Sequence, residues 1–308
     1  MTAQRAAAWT EQPERSNLAM LRLMTWLSLR LGRGAARVIL RGIAVYFLLT
    51  APKARRASRD YLRRALQREP GWRDSYRHFL TFAATIHDRV YLLNQRFDSF
   101  DVDIHGEREL RELIRDDSGV FLLGAHFGSF EIVLSLGERQ SDLHVALAMF
   151  EENARKISAA LAAINPDLRH DIIPLGNVDT MLHIEQRLAD GDLVGMLGDR
   201  SPRDDGMMSV DFLGAAARFP LGPMRLAAVL RKRVVFMSGE YLGGRRYAIH
   251  FEPIADFTGL ARGQRQQAVE GAVRAFAACL EQRCRQAPYN WFNFFDFWQA
   301  PAAAETPR

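Results

Sequence analysis

The chain has 308 residues, 48 % hydrophobic and 25 % charged, which suits one large ordered domain and excludes a disordered chain. Its two cysteines, Cys279 and Cys284, give neither a disulfide framework nor a cysteine-rich zinc site and fit a reducing compartment. The net charge of +5 is concentrated at the front, where the first seventy residues hold thirteen arginines and one lysine against Glu11, Glu14, Asp60 and Glu69. Such a front suits an anionic surface, either lipid or nucleic acid.

Residues 1–16 are polar and do not read as a cleavable signal peptide. Residues 17–50 read as two helices that break near Gly32 and Gly34, the second ending at Pro52. Arg22, Arg30, Arg33, Arg37 and Arg41 interrupt this apolar region. Its longest uncharged run, Gly42 to Pro52, is too short for a bilayer core of about 30 Å, which needs roughly 20 residues. With Trp26 and Tyr46 as interfacial side chains, the pattern suits helices lying in the headgroup region of an anionic membrane. The alternative is two core helices with arginines facing water. A basic helix over 53–68 follows, stopped before Pro70-Gly71. The next helix, 72–97, places Tyr76, Phe79, Phe82, Ile86, Val90 and Leu93 three or four apart. We expect basic N-terminal membrane-associating helices over 1–70 and a second domain over 71–308.

The pattern changes after residue 100. Short apolar strands are expected at Val102–His105, Gly119–Gly124, Leu143–Met149, Ile172–Leu175, Leu193–Leu197, Val234–Met237 and Tyr247–Phe251. Helices are expected at Glu107–Arg115, Phe130–Gly137, Glu151–Ile164, Thr180–Ala189, Pro223–Leu230 and Arg265–Arg285. This alternation predicts an α/β domain with a mostly parallel sheet flanked by helices.

No G-x-S-x-G elbow, P-loop, Rossmann glycine fingerprint or H-E-x-x-H occurs, which disfavours a serine hydrolase, an NTPase and a zincin. The informative segment is Gly124-Ala125-His126-Phe127-Gly128-Ser129-Phe130-Glu131. A buried strand ends in glycine, a histidine follows, and a glutamate opens a helix. Strand ends of this kind build the sites of open α/β sheets, and an imidazole there can serve as a general base. Five helical residues turn about 500°, so His126 must sit in the turn before the helix to approach Glu131. Gly124 and Gly128 permit that turn. On the residues alone, a histidine capping a strand end remains an equal alternative.

The segment GAHFGSFE resembles the first motif of the glycerophosphate and lysophospholipid acyltransferase superfamily. Asp199-Arg200-Ser201, Val210-Asp211-Phe212-Leu213-Gly214, Pro220-Leu221-Gly222-Pro223, Leu226-Ala227 and the aromatic end Asn290 to Trp298 resemble the bacterial lipid A late acyltransferases. They are also similar to the mycobacterial phosphatidylinositol mannoside acyltransferases. The resemblance covers roughly residues 17–298 and implies a glycerol-3-phosphate-acyltransferase-like domain. It implies transfer of a fatty acyl group, without an acyl-enzyme, from acyl carrier protein or coenzyme A as co-substrate. The implied acceptor is a hydroxyl of a membrane lipid or glycolipid at the cytoplasmic face of the bacterial inner membrane, and no other cofactor or metal is expected. By the same resemblance His126 would be the base, Glu131 would orient and charge-balance it, and Asp199 matches a later acidic position that can pair with it. The resemblance further implies that backbone N–H groups around Phe127, Gly128 and Ser129 bind the oxyanion and that Arg200 binds a phosphate of the acceptor or carrier; Arg218, just before Phe219-Pro220, is a further candidate for anion binding. A solvated turn is the plainer reading of Asp204, Asp205 and Gly206, and ordinary core that of the terminal aromatics, which otherwise wall an acyl channel.

Two other functions fit the charge or the fold. A nucleic-acid-binding protein suits the basic front, but no helix-turn-helix, RNP or zinc pattern is present. A non-catalytic membrane scaffold of the same fold predicts that His126→Ala leaves function intact.

Overall fold

The computed structural model describes residues 18–114, 119–139, 144–166, 171–176, 178–201 and 206–298. The polar N-terminal stretch, Asp204 and Asp205 lie outside them.

Helix α1, Leu18–Thr50, is interrupted at Gly32, whose φ of 79° and ψ of 165° leave the helical region. Beyond the break Ala36, Leu40, Ala44 and Leu48 recur every four residues and are buried against α3, Trp72–Leu93. Arg33 and Arg37 of α1 converge on Asp88 of α3 at 2.7 and 2.9 Å. Tyr247 donates its hydroxyl to the same carboxylate at 2.9 Å. Burial pushes the Asp88 carboxyl up, but His87, Arg33 and Arg37 outweigh it and hold the group below its ordinary value. Helix α2, Pro52–Leu66, meets α1 at 97°. Tyr61, Leu62 and Ala65 of α2 belong to the same core as Phe121 and Leu123. Among the described residues, α1 and α2 are therefore packed onto the helices and core of the sheet domain.

The sheet is built from β1 (Asp101–His105), β2 (Val120–Gly124), β3 (Val145–Phe150), β4 (Ile172–Leu175), β5 (Leu193–Leu197), β8 (Arg233–Gly243) and β9 (Arg246–Asp256). Their order is β1-β9-β8-β2-β5-β3-β4. All pairs are parallel except β8 with β9, a hairpin turned by Gly243 and Gly244, both at positive φ. The sequence suggests shorter strands here because Ser238-Gly239-Glu240 ends the apolar run.

Intervening helices are α4 (Glu107–Ile114), α5 (Phe130–Arg139), α6 (Glu151–Ile164), α7 (Val178–Ala189), α8 (Gly222–Val229) and α9 (Arg265–Gln286). The central strands are buried on both faces, and their side chains feed two cores. Phe121, Leu123, Val194 and Phe236 face one core, with α9 residues such as Phe276 and Leu280. Val120, Leu122, Leu193 and Val235 face the other, with α3 residues such as Val90 and Leu92. This two-sided burial is why VFLLG and LVGML are nearly continuous apolar runs.

A separate antiparallel hairpin joins β6 (Met207–Phe212) and β7 (Ala215–Pro220), strands the sequence reading did not assign. Leu213 and Gly214 turn it with φ of 52° and 78°. A leucine in the left-handed region is not the Asn-Gly signal of such a turn, and Glu281 supports it by accepting the Leu213 N–H at 2.6 Å.

Candidate active site

Strands β2 and β5 are parallel neighbours in which Gly124 is the register partner of Leu197. The pairing runs one step further, with the Gly198 N–H donating to the Gly124 carbonyl at 2.8 Å. His126 and Asp199 each lie two residues past that last pair, so the register itself brings them face to face. His126 Nδ1 is 2.8 Å from Asp199 Oδ1. The other carboxylate oxygen accepts the His126 backbone N–H at 3.2 Å and the Trp291 indole N–H at 3.2 Å. Arg200 contributes a guanidinium nitrogen at 3.4 Å. Asp199 has no exposed surface. Burial alone raises its pKa, but the charges of His126 and Arg200 and their hydrogen bonds reverse this and hold the carboxyl well below the usual range.

An ionised carboxylate only accepts, so Nδ1 carries the proton and Nε2 keeps its lone pair. The His126 side chain is 37 % exposed, and Nε2 has no partner among the described residues. Burial is the first cause of a lowered His126 pKa and the Arg200 charge the second, opposed by Asp199. The lowered pKa favours the neutral imidazole, with Nε2 unpartnered among the described residues.

The loop carrying His126 is clamped from both sides. The Gly128 N–H donates to the Asn290 carbonyl at 2.8 Å, the Ser129 N–H to the Gly239 carbonyl at 2.7 Å, and the Phe292 N–H to the His126 carbonyl at 2.8 Å. Gly128 has a φ of +63°, and a Cβ there would lie 1.9 Å from the Gly239 carbonyl oxygen, so only glycine fits.

This clamp corrects one expectation. The N–H groups of Phe127, Gly128 and Ser129 are donated to the Ala125, Asn290 and Gly239 carbonyls and do not point freely at an oxyanion. The Ser129 hydroxyl bonds Glu131 at 3.2 Å and accepts the Ile132 N–H at 3.3 Å, capping α5.

The sequence-derived residues divide into separate groups. Asp199, not Glu131, holds the His126 ring. Glu131, in the first turn of α5, pairs instead with Arg89 of α3 at 2.6 Å, because α5 turns its carboxylate toward α3. Arg200 is largely buried, bonds inward to Asp199 and the Phe292 carbonyl, and lies 4.8 Å over the Phe295 ring. Arg218 is half-buried in β7, opposite Ser209 of β6. The aromatic tail is partly core. Trp291 is fully buried, with Tyr61, Phe212 and Phe297 around it at 4.8–5.3 Å. Phe292 and Phe294 instead meet Phe82 of α3.

Sequence reasoning missed Trp291 as a donor to Asp199, and Arg89. A tryptophan in an aromatic run gives no sign that its N–H is used, and Arg89 is one arginine among many.

A family model described as bacterial lipid A biosynthesis acyltransferase matches residues 72–300. The chain belongs to this family, and its class is that of acyltransferases acting on lipid. No curated protein matches it. The matched span runs from α3 through the aromatic tail, so it includes every residue of the His126–Asp199 cluster.

The electrostatics predict the pH dependence of acyl transfer. With His126 as the proposed base, the lowering of its pKa by burial and Arg200 should place the acid limb of kcat/KM below the ordinary histidine value of about 6.5. Arg200→Gln removes one of the lowering charges and should move that limb to higher pH. An unmoved limb in a folded variant would show that Arg200 does not tune the base.

Proposed function

We propose that the chain is an O-acyltransferase moving a fatty acyl group from an acyl thioester, of acyl carrier protein or coenzyme A, to a hydroxyl of a membrane lipid or glycolipid. The observation that carries this reading is the partly exposed imidazole of His126, whose Nδ1 is held by buried Asp199, within a chain of this family.

His126 Nε2 takes the proton of the acceptor hydroxyl as its oxygen attacks the thioester carbonyl carbon. The tetrahedral intermediate collapses with cleavage of the C–S bond, and the leaving thiolate recovers the proton from the imidazolium. Ester and free thiol are the products. Asp199 fixes the tautomer and offsets the imidazolium charge. Arg200, beside the pair, supplies positive charge near the developing oxyanion. Arg218, in the β6–β7 hairpin, is the second proposed contact for an anionic group of donor or acceptor.

We also propose that the protein lies on the cytoplasmic face of the inner membrane through α1. Among the described residues no single helix is long and apolar enough to cross a membrane. The outer side of α1 nevertheless presents Trp26, Val38, Ile39, Val45, Tyr46 and Leu49, each between 44 % and 62 % exposed, with Arg22, Arg30 and Arg41 among them. An apolar ridge interspersed with cations suits the headgroup region of anionic lipid.

Mass spectrometry of membrane lipids incubated with acyl-carrier protein, and separately with acyl-coenzyme A, should reveal a lipid that gains one acyl mass. His126→Ala should abolish the gain, and Asp199→Asn should slow it by about 10²-fold or more. Transfer at the wild-type rate by folded His126→Ala would favour the scaffold reading. Replacing Val38, Ile39, Val45 and Leu49 by serine, which leaves the inward face of α1 intact, should release the protein from anionic vesicles in a flotation assay. Unchanged flotation would remove α1 as the membrane contact.

A further inference from the structure

Helix α3 carries a cation that the proposed chemistry does not use. Asp88 and Arg89 are adjacent, yet they serve different neighbours. Asp88 is buried under Arg33 and Arg37 of α1, whereas Arg89 reaches across to α5, its Nε 2.6 Å from Glu131 Oε1.

Phe82, Ile86 and Arg89 are spaced by four and three residues and so share one side of α3. At one end of this stripe the Phe82 ring lies 5.1 Å from Phe292, whose N–H donates to the His126 carbonyl. At the other end Arg89 meets Glu131, five residues beyond His126. The stripe therefore flanks the loop that carries the base. It is apolar and open at Phe82 and Ile86, each 37 % exposed, and cationic at Arg89.

The Arg89 Nε is buried against Glu131. The side chain as a whole is still 27 % exposed, and its terminal nitrogens have no partner among the described residues. A guanidinium offers five N–H donors in a rigid fork suited to oxyanions. Glu131, itself held by the Ser129 hydroxyl, ion-pairs with the Nε side of the guanidinium without completing a hydrogen bond, and the terminal nitrogens remain available for an oxyanion.

We propose that Arg89, held in place by Glu131, binds an oxyanion of the acceptor lipid, a phosphate monoester or phosphodiester, while the Phe82–Ile86 surface takes apolar parts of the same molecule. Arg89 is then a specificity and positioning residue that selects an anionic acceptor and sets its hydroxyl against His126. The proposal rests on the acyltransferase reading for the identity of the ligand, but its test needs no acyl donor.

The test is calorimetric titration of the full chain in nonionic detergent with octyl phosphate, inorganic phosphate and octyl glucoside. Wild type should bind octyl phosphate more tightly than inorganic phosphate, and both more tightly than octyl glucoside. Arg89→Gln should weaken octyl phosphate binding by about tenfold or more, as expected for a lost charge-assisted hydrogen bond. Arg89→Lys, which keeps the charge without the fork, should fall between. The double variant Arg89→Gln/Glu131→Gln leaves no carboxylate unpaired and guards against misfolding; it should bind as weakly as the single one. Wild-type binding of octyl phosphate by a folded double variant would overturn the proposal. Equal binding of inorganic and octyl phosphate would overturn its lipid part. Failure of acyl transfer alone, with this binding pattern intact, would count against the reaction and not against Arg89.

Discussion

The buried carboxylate of Asp199 is the constraint on which the site depends. A charge removed from water costs several kcal/mol unless it is compensated by partners. Here the compensation comes from three parts of the chain: Arg200 next to it, His126 from the end of the neighbouring strand, and Trp291 from the C-terminal segment. Each donor in turn fixes a piece of backbone. The need to satisfy one carboxylate therefore ties the β2 loop, the end of β5 and the aromatic tail into one unit. The same contacts leave His126 with one ring nitrogen occupied and the other open.

Helix α3 carries this order outward. Its His78 bonds the Trp291 carbonyl at 2.9 Å, and burial pushes that imidazole down to about 4, so it serves as a neutral strut behind the tail. Asp88 fastens α1, and Arg89 meets α5 at Glu131. One helix thus links the apolar ridge of α1 to both sides of the His126 loop. That continuity is a physical reason why the basic helix α1 and the sheet domain share one body.

Much of this was legible in the sequence, for identifiable reasons. Runs such as VFLLG and LVGML are buried on both faces, so composition alone marks them as central strands. Gly32 breaks α1 because no other residue readily adopts its φ, and the glycine was a visible signal. His126 and Asp199 stood out through their motifs. Their partnership did not, because it arises from the β2–β5 register, which is a nonlocal property. Proximity in sequence favoured Glu131 as the partner of His126, whereas the helix carries that carboxylate toward Arg89. The expected backbone oxyanion donors were likewise plausible until the tail and β8 took their hydrogens. The β6–β7 hairpin escaped notice because its turn places a leucine in the left-handed region, stabilised from α9 by Glu281, a contact no local pattern announces.

The most direct test of the central claim is the ¹⁵N NMR spectrum of histidine-labelled protein, with the His126 signals assigned by their loss in His126→Gln. The Asp199 pairing predicts a neutral ring at pH 7, protonated at Nδ1 with a pyridine-like Nε2, and loss of that tautomer preference in Asp199→Asn. A ring protonated at Nε2 in the wild type, or one whose tautomer does not respond to Asp199→Asn, would contradict the account.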